Sequence, residues 1–264
     1  MNNRVYILIW ALLHLSRIVE FAYTPFGGNC VQEEIQYSKF DKAKQNNTSG
    51  LLCWRLINKS AFTVYISRYC SKTSMSRIFI TGSTDGLGQM AAHLLVDQGH
   101  EVVLHARNTK RANDALTHGP PAEAVVLGDL SSMAETIQVA EEANKSGPFD
   151  AVIHNAGIGD REQQRIPTAD GLSHVFAINS LAPYILTCLI KRPGRLIYLS
   201  SGLQQNGDPD MKDLAWKHKR WNGFQAYSDS KLHDVILAFA AARKWPGVYS
   251  NAIDPGWVAT KMGG

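Results

Sequence analysis

The stretch Ile78-Phe79-Ile80-Thr81-Gly82-Ser83-Thr84-Asp85-Gly86-Leu87-Gly88 constrains the fold more than any other part of the chain. A short apolar run, Ile78 to Ile80, reads as a buried strand that stops at Thr81-Gly82. Beyond Gly88 the pattern is helical: Met90, Leu94 and Leu95 are apolar, with Ala91 and Ala92 between them. The join is strand, glycine-rich turn, helix. Glycines suit it because so tight a turn needs positive φ, and a missing Cβ lets the backbone approach a pyrophosphate. N–H groups at the helix start face such an anion, and the helix dipole favours its charge. Taken alone, the turn fits a dinucleotide site and a plain glycine-rich loop equally well.

After this turn strand and helix alternate. Glu101–Ala106 reads as a second strand ending at Arg107, and Ala124–Leu127 as a third closed by Gly128-Asp129-Leu130. Ser131 or Ser132 caps a helix running to Lys145, which Gly147-Pro148 stops. Asp150–His154 is a fourth strand entering Asn155-Ala156-Gly157. A helical region follows the loop 158–167 and ends at Pro193-Gly194; Arg195–Ser200 is a fifth strand. Tyr227–Arg243 is a helix and Val248–Ile253 a sixth strand. Such alternation predicts an α/β fold, a doubly wound and mainly parallel sheet with helices on both faces.

Charge separates two regions. Residues 1–74 hold nine Lys/Arg against four Asp/Glu, whereas residues 75–264 hold 18 against 19. The basic surplus lies outside the alternating region, so nothing there points to nucleic acid. Residues 1–74 read as a poorly structured extension of unknown role, or as the product of a wrongly chosen start, since Met75 leads directly into the first strand. Their apolar run, Val5–Leu15, is too short to span a bilayer. Arg4 before it fits a signal-peptide core, but no clear small-x-small cleavage site follows. The segment Leu51–Tyr69 fits strand or helix equally. Cys30, Cys53, Cys70 and Cys188 show neither a disulfide framework nor metal-ligand spacing. The reading is a cytoplasmic domain without metal or membrane association.

In such sheets ligands sit beyond the carboxyl ends of the strands, where the polar residues gather here. Arg107 stands where an NAD-specific site places an acid against the ribose 2′-hydroxyl; an arginine there either pairs with a 2′-phosphate, which favours NADP over NAD, or is a solvated surface residue. Asp129 suits either an adenine amino group or a turn. Tyr227 and Lys231 are i and i+4 on one helix, so phenol and ammonium share a face. The apolar pattern places the packing seam of this helix elsewhere, at Leu232, Val235, Ile236, Phe239 and Ala240. Free tyrosine, with a pKa near ~10, exchanges protons poorly at neutral pH. A cation about 4 Å away at an effective dielectric of about 20 is worth roughly 4 kcal/mol, or about three pKa units. Ser200 and Ser201 end the fifth strand, where hydroxyls either hold a carbonyl oxygen or form a turn. Asn179 lies mid-helix, an unfavourable place unless its amide has a task.

In this order the pieces resemble the short-chain dehydrogenase/reductase family, in the branch of retinol-dehydrogenase-like reductases. The matching residues are Thr81-Gly82-x-x-x-Gly86-x-Gly88, Asn155-Ala156-Gly157, Asn179, Ser200-Ser201, Tyr227-x-x-x-Lys231, and Asp254-Pro255-Gly256 with Thr260. The resemblance covers 76–264 and implies a Rossmann-type, NADP-dependent oxidoreductase domain over 75–264, interconverting a small-molecule alcohol and a carbonyl by hydride transfer. Tyr227 is then the acid/base, Lys231 the ribose ligand that lowers the tyrosine pKa, Ser201 the substrate orienter, and Asn179 the holder of a relay water. Cofactor contacts fall to Thr81, Gly82, Ser83, Asp85, Gly86, Leu87, Gly88, Arg107, Asp129, Leu130, Asn155, Ala156, Gly157, Tyr227, Lys231, Pro255, Gly256, Val258 and Thr260. The family pairs subunits through the helices of Asn179 and Tyr227, which implies a homodimer.

Two features depart from the family pattern. The interval from Ser201 to Tyr227 is long and holds Trp216, Trp221 and Lys217-His218-Lys219-Arg220, a run that reads as a solvated face. The chain also stops at Gly264, where the family continues through a covering loop, a helix and a seventh strand. The alternative to an active enzyme is therefore a truncated or regulatory protein that binds NADP without efficient turnover.

Overall fold

The computed structural model describes residues 75–256 and Val258. The readings of Val5–Leu15, Leu51–Tyr69 and Thr260 lie outside the described residues. Six parallel strands form one sheet in the order β3-β2-β1-β4-β5-β6. They are β1 (Arg77–Ile80), β2 (Glu101–Ala106), β3 (Ala124–Leu127), β4 (Ala151–His154), β5 (Arg195–Leu199) and β6 (Tyr249–Ile253). The helices between them are α1 (Gly86–Asp97), α2 (Thr109–His118), α3 (Met133–Ser146), α4 (His174–Phe176), α5 (Ala182–Leu189) and α6 (Gly223–Lys244). A π-helical turn, Ala177–Leu181, joins α4 to α5. The predicted sheet is present, every strand within one residue of its expected bounds.

The period of two along the strands decides which core each residue joins. Phe79, Val103, Val152, Leu196 and Tyr198 pack on one face with residues of α3, α5 and α6. Their neighbours Ile78, Ile80, Val102, Leu104, Ile153 and Ile197 pack on the other with Ala92 and Leu95 of α1 and Ala115 of α2. Such near-continuous apolar strands are what a sheet covered on both sides demands. The strand order reverses at β1, which pairs with β2 on one side and β4 on the other. Sheets of this kind bind ligands where the strand order reverses, beyond the carboxyl ends of the strands, here those of β1 and β4.

Helix boundaries moved where capping chemistry outranked apolar periodicity. No helix is expected between β2 and β3 from the sequence, but Asn108 caps α2 by accepting the Arg111 N–H. Helix α6 starts at Gly223 rather than Tyr227 because Asn222 caps it through the Gln225 N–H. Ser132 is the cap of α3. The expected packing seam of α6 is wrong. Ile236 is 38% and Phe239 73% exposed, whereas Ala226, Ser230, Lys231, Asp234, Ala238 and Ala241 are buried. Small side chains let α6 approach the sheet closely, and that close face carries the polar groups.

Candidate active site

The glycine-rich turn is held from three sides. Gly82 (φ 60°) and Gly86 (φ 54°) occupy the left-handed region. Gly88 is needed for a different reason: a Cβ there would lie 2.6 Å from the Gly82 carbonyl oxygen and press on the Asn155 amide. Asn155 donates its Nδ2 to the carbonyls of Thr81 and Gly82, each at 2.9 Å. Thr81 Oγ1 in return accepts the N–H groups of Asn155 and Ala156 at 3.0 Å. The two motifs, 73 or more residues apart, thus form one cradle across the β1–β4 junction. Ser83 is buried, donating to the Ile80 carbonyl and accepting the His105 N–H. Asp85 caps α1, and Arg111 Nη1 stands 3.4 Å from its carboxylate. Leu87 packs against the α1/α2 core, and Leu130 is buried on the opposite face of the sheet.

His105, which the sequence reading passed over, ties this cradle to the end of β3. Its Nδ1 accepts the Gly82 N–H at 3.0 Å, so the ring proton sits on Nε2, which donates to the Gly128 carbonyl at 2.9 Å. Burial pushes its pKa down to about 4, so it is neutral at physiological pH. The one available signal was a histidine inside an apolar strand, two residues before Arg107. Arg107 itself is exposed just past β2. Asp129 forms a turn: its Oδ1 accepts the Ser131 N–H at 2.9 Å.

The second half of the site gathers around α6. Tyr227 is half-buried, and the Lys231 Nζ lies 5.7 Å from its ring centroid. A Cβ added to Gly157 would lie 3.5 Å from Asn179 Oδ1 and 3.8 Å from Lys231 Nζ, so these three residues converge. Asn179 sits in the π-helical turn, where its Oδ1 accepts the Ile158 N–H at 2.9 Å. Its Nδ2 donates to the Ile158 carbonyl and to Ser230 Oγ, both at 3.0 Å. Both amide donors are thereby used within the protein, which explains why a mid-helix asparagine is tolerated. Ser200 is structural, donating to the Lys231 carbonyl at 2.8 Å, whereas Ser201 caps the turn Gly202–Asn206 and is only half-buried. Pro255 and Gly256 follow β6; Asp254 accepts the Gly256 N–H at 2.9 Å. Val258 is half-buried.

The long interval before α6 folds around Asp213. Asp213 accepts the N–H groups of Lys217, His218 and Lys219, each at 2.9 Å. That hub turns the chain so that Trp216 is buried edge-on to Trp221, whose Nε1 donates to the Glu162 carbonyl. Lys219 pairs with Asp208 at 2.9 Å. The four residues from Lys217 to Arg220 are exposed, as a solvated face requires.

A sequence model of the short chain dehydrogenase family matches residues 76–212, the span of the glycine cradle, the Asn155 motif and Asn179. The chain belongs to that family. An uncharacterised oxidoreductase of Emericella nidulans is 55% identical over 194 residues, covering 72% of this chain and 73% of that protein. Retinol dehydrogenase 13 of Homo sapiens is 30% identical, over 70% of this chain and 60% of its own length. Among solved structures, a protein of Beutenbergia cavernae assigned as a NAD(P) dependent gluconate 5-dehydrogenase, with NADP bound at low occupancy, is 26% identical. It aligns with a TM-score of 0.53 over 72% of this chain and 75% of its own. The short-chain dehydrogenases are oxidoreductases acting on small molecules, and this chain is an oxidoreductase of that kind. No helix among the described residues is long and apolar enough to cross a membrane.

Proposed function

We propose that residues 75–264 form an NADP-dependent oxidoreductase domain that interconverts an alcohol and a carbonyl, with Tyr227 as its proton donor and acceptor. The convergence of Lys231 and Asn179 on Gly157, with the Tyr227 ring centroid 5.7 Å from the Lys231 Nζ, carries this reading. The cradle suits a dinucleotide, because Gly82 and Gly88 let the turn close tightly on Ala156 and Asn155, where a Cβ at either would clash, and so keep the backbone compact enough to meet a pyrophosphate. The Gly86 N–H is taken by Asp85 Oδ1 at 2.8 Å, so the N–H groups after it at the start of α1 would meet the anion. Bound nicotinamide supplies or receives the hydride, and this chain's residues manage the proton. Lys231 holds the ribose and stabilises phenolate, Ser201 orients the carbonyl oxygen, and Tyr227 gives that oxygen its proton. In the reverse direction the phenolate takes the hydroxyl proton as hydride leaves the carbon. Asn179 Oδ1 retains a lone pair for a relay water.

Arg107 supports the choice of NADP. Its side chain is exposed at the end of β2, and Arg111 offsets the negative charge of Asp85 beside it. A cytoplasmic homodimer completes the proposal. Helices α5 and α6, on the same face of the sheet, leave Tyr184, Leu189 and Phe239 exposed, and large apolar side chains on that face suit a self-complementary interface.

The test is NADPH binding and turnover of a panel of aldehydes and ketones by the chain and by Tyr227→Phe. Phenylalanine keeps the ring but loses the proton donor, so the rate should fall by ~10²–10⁴ with NADPH affinity nearly unchanged. A variant that keeps most of the rate rules out Tyr227 as the acid. NADPH binding without turnover across the panel rules out the enzyme.

A further inference from the structure

The Lys231 ammonium is not free to face only the cofactor side. Its Nζ donates to the Leu199 carbonyl at 2.6 Å and to Asp234 Oδ2 at 2.9 Å. The two side chains are 7% and 4% exposed. An ammonium has three donors. Two are spent inward, on β5 and on Asp234, which leaves one for the side where Gly157 and Tyr227 lie. Burying two opposite charges costs about as much as their attraction returns, so the pair is a poor device for stability. What it does well is fix a long, flexible side chain in one place.

We propose that Asp234 is the counter-ion of Lys231: it positions the ammonium and sets how much of that charge reaches the Tyr227 phenol. The proposal rests on the reading of Tyr227 and Lys231 as the acid/base pair. In a poorly solvated setting a carboxylate in contact with a cation cancels much of its field at a third group. Asp234 therefore makes proton release from Tyr227 harder than a lone lysine would.

The surrounding groups leave this balance to the pair. From β5, Tyr198 faces Asp234; burial, with the charge of Asp234 adding to it, pushes its hydroxyl up to about 12. From β4, His154 stacks on Tyr198, and burial holds it down at about 3. Both are neutral near pH 7. On α6 itself, Asp229 accepts the Asp208 N–H and His233 bonds Ser180, so both engage partners outside the pair. Burial raises the Asp234 carboxyl to about 6, with Lys231 opposing the rise. Protonation of Asp234 below that value leaves the lysine charge unopposed, the state that an asparagine imitates permanently.

The experiment is Asp234→Asn in the full chain, which keeps the shape and an acceptor but removes the charge. The rate of alcohol oxidation with NADP is followed from about pH 5 to 10. The limb on which the rate rises with pH should move to lower pH by about half a unit or more. The KM for NADP should change less than threefold. A limb that stays in place overturns the proposal, because a purely structural role leaves the proton affinity of the base untouched. If the wild type turns over no alcohol or carbonyl, the enzyme reading fails, and the phenolate absorbance near 295 nm still decides this one. The difference between the chain and Tyr227→Phe, titrated with and without Asp234→Asn, must then show the same downward move. Should Asp234→Asn fail to fold, Asp234→Ser leaves room for a water on the ammonium and carries the same expectation.

Discussion

The Nδ1 atom of His105 accepts the Gly82 N–H at 3.0 Å, so the glycine-rich turn depends on a histidine that stays neutral. His105 is held down at about 4 and His154 at about 3 by burial, against an ordinary 6.5. A histidine with a depressed folded value stabilises the native state fully above 6.5, and this is lost as pH falls towards the folded value. Each of the two should cost roughly 2 kcal/mol by pH 5. Asp234, raised to about 6, acts in the opposite sense: its contribution is present at low pH and lost as pH rises through that value. Two histidines outweigh one carboxyl, so urea midpoints should fall steadily between pH 7 and pH 5. His154→Phe keeps the stack on Tyr198 and cannot take a proton, so it should flatten that fall.

Gly88→Ala tests the cradle by steric means alone. The residue is helical, so alanine is not strained by its backbone, but its Cβ meets the Gly82 carbonyl and the Asn155 amide. Overpacking of this kind costs typically ~1–3 kcal/mol. The expected result is a lower melting temperature together with at least a tenfold loss of NADPH affinity by fluorescence titration. Loss of stability with unchanged affinity would separate the cradle from the cofactor.

Arg107→Asp addresses cofactor choice. The carboxylate repels a 2′-phosphate and accepts from ribose hydroxyls, so NADPH should weaken and NADH become the relatively better ligand. An unchanged ratio of the two dissociation constants would remove Arg107 from the phosphate site.

Phe239 is 73% exposed on α6, the largest such exposure among the described large apolar side chains. Phe239→Glu should shift sedimentation equilibrium from dimer to monomer without altering the secondary structure seen by circular dichroism. A variant that remains dimeric places the interface on another face.

Periodicity and motif spacing made the sheet and half of the site legible. Every strand, the glycine-rich turn and each short motif, Asn155-Ala156-Gly157, Ser200-Ser201 and Tyr227-x-x-x-Lys231, depend on residues close together in the chain, whose pattern survives without knowledge of what they touch. The pairing of Thr81 with Asn155, the neutral tautomer of His105 and the inward hold on Lys231 were decided only by tertiary structure. So was the buried face of α6, where apolar count pointed to Ile236 and Phe239 but the sheet accepted Ala238, Asp234 and Ser230. The reason is physical. A helix shows in its sequence that it has an apolar stripe, but which stripe is covered depends on how closely another element can approach. Here close approach selected small and polar side chains, and with them the charges around the proposed base.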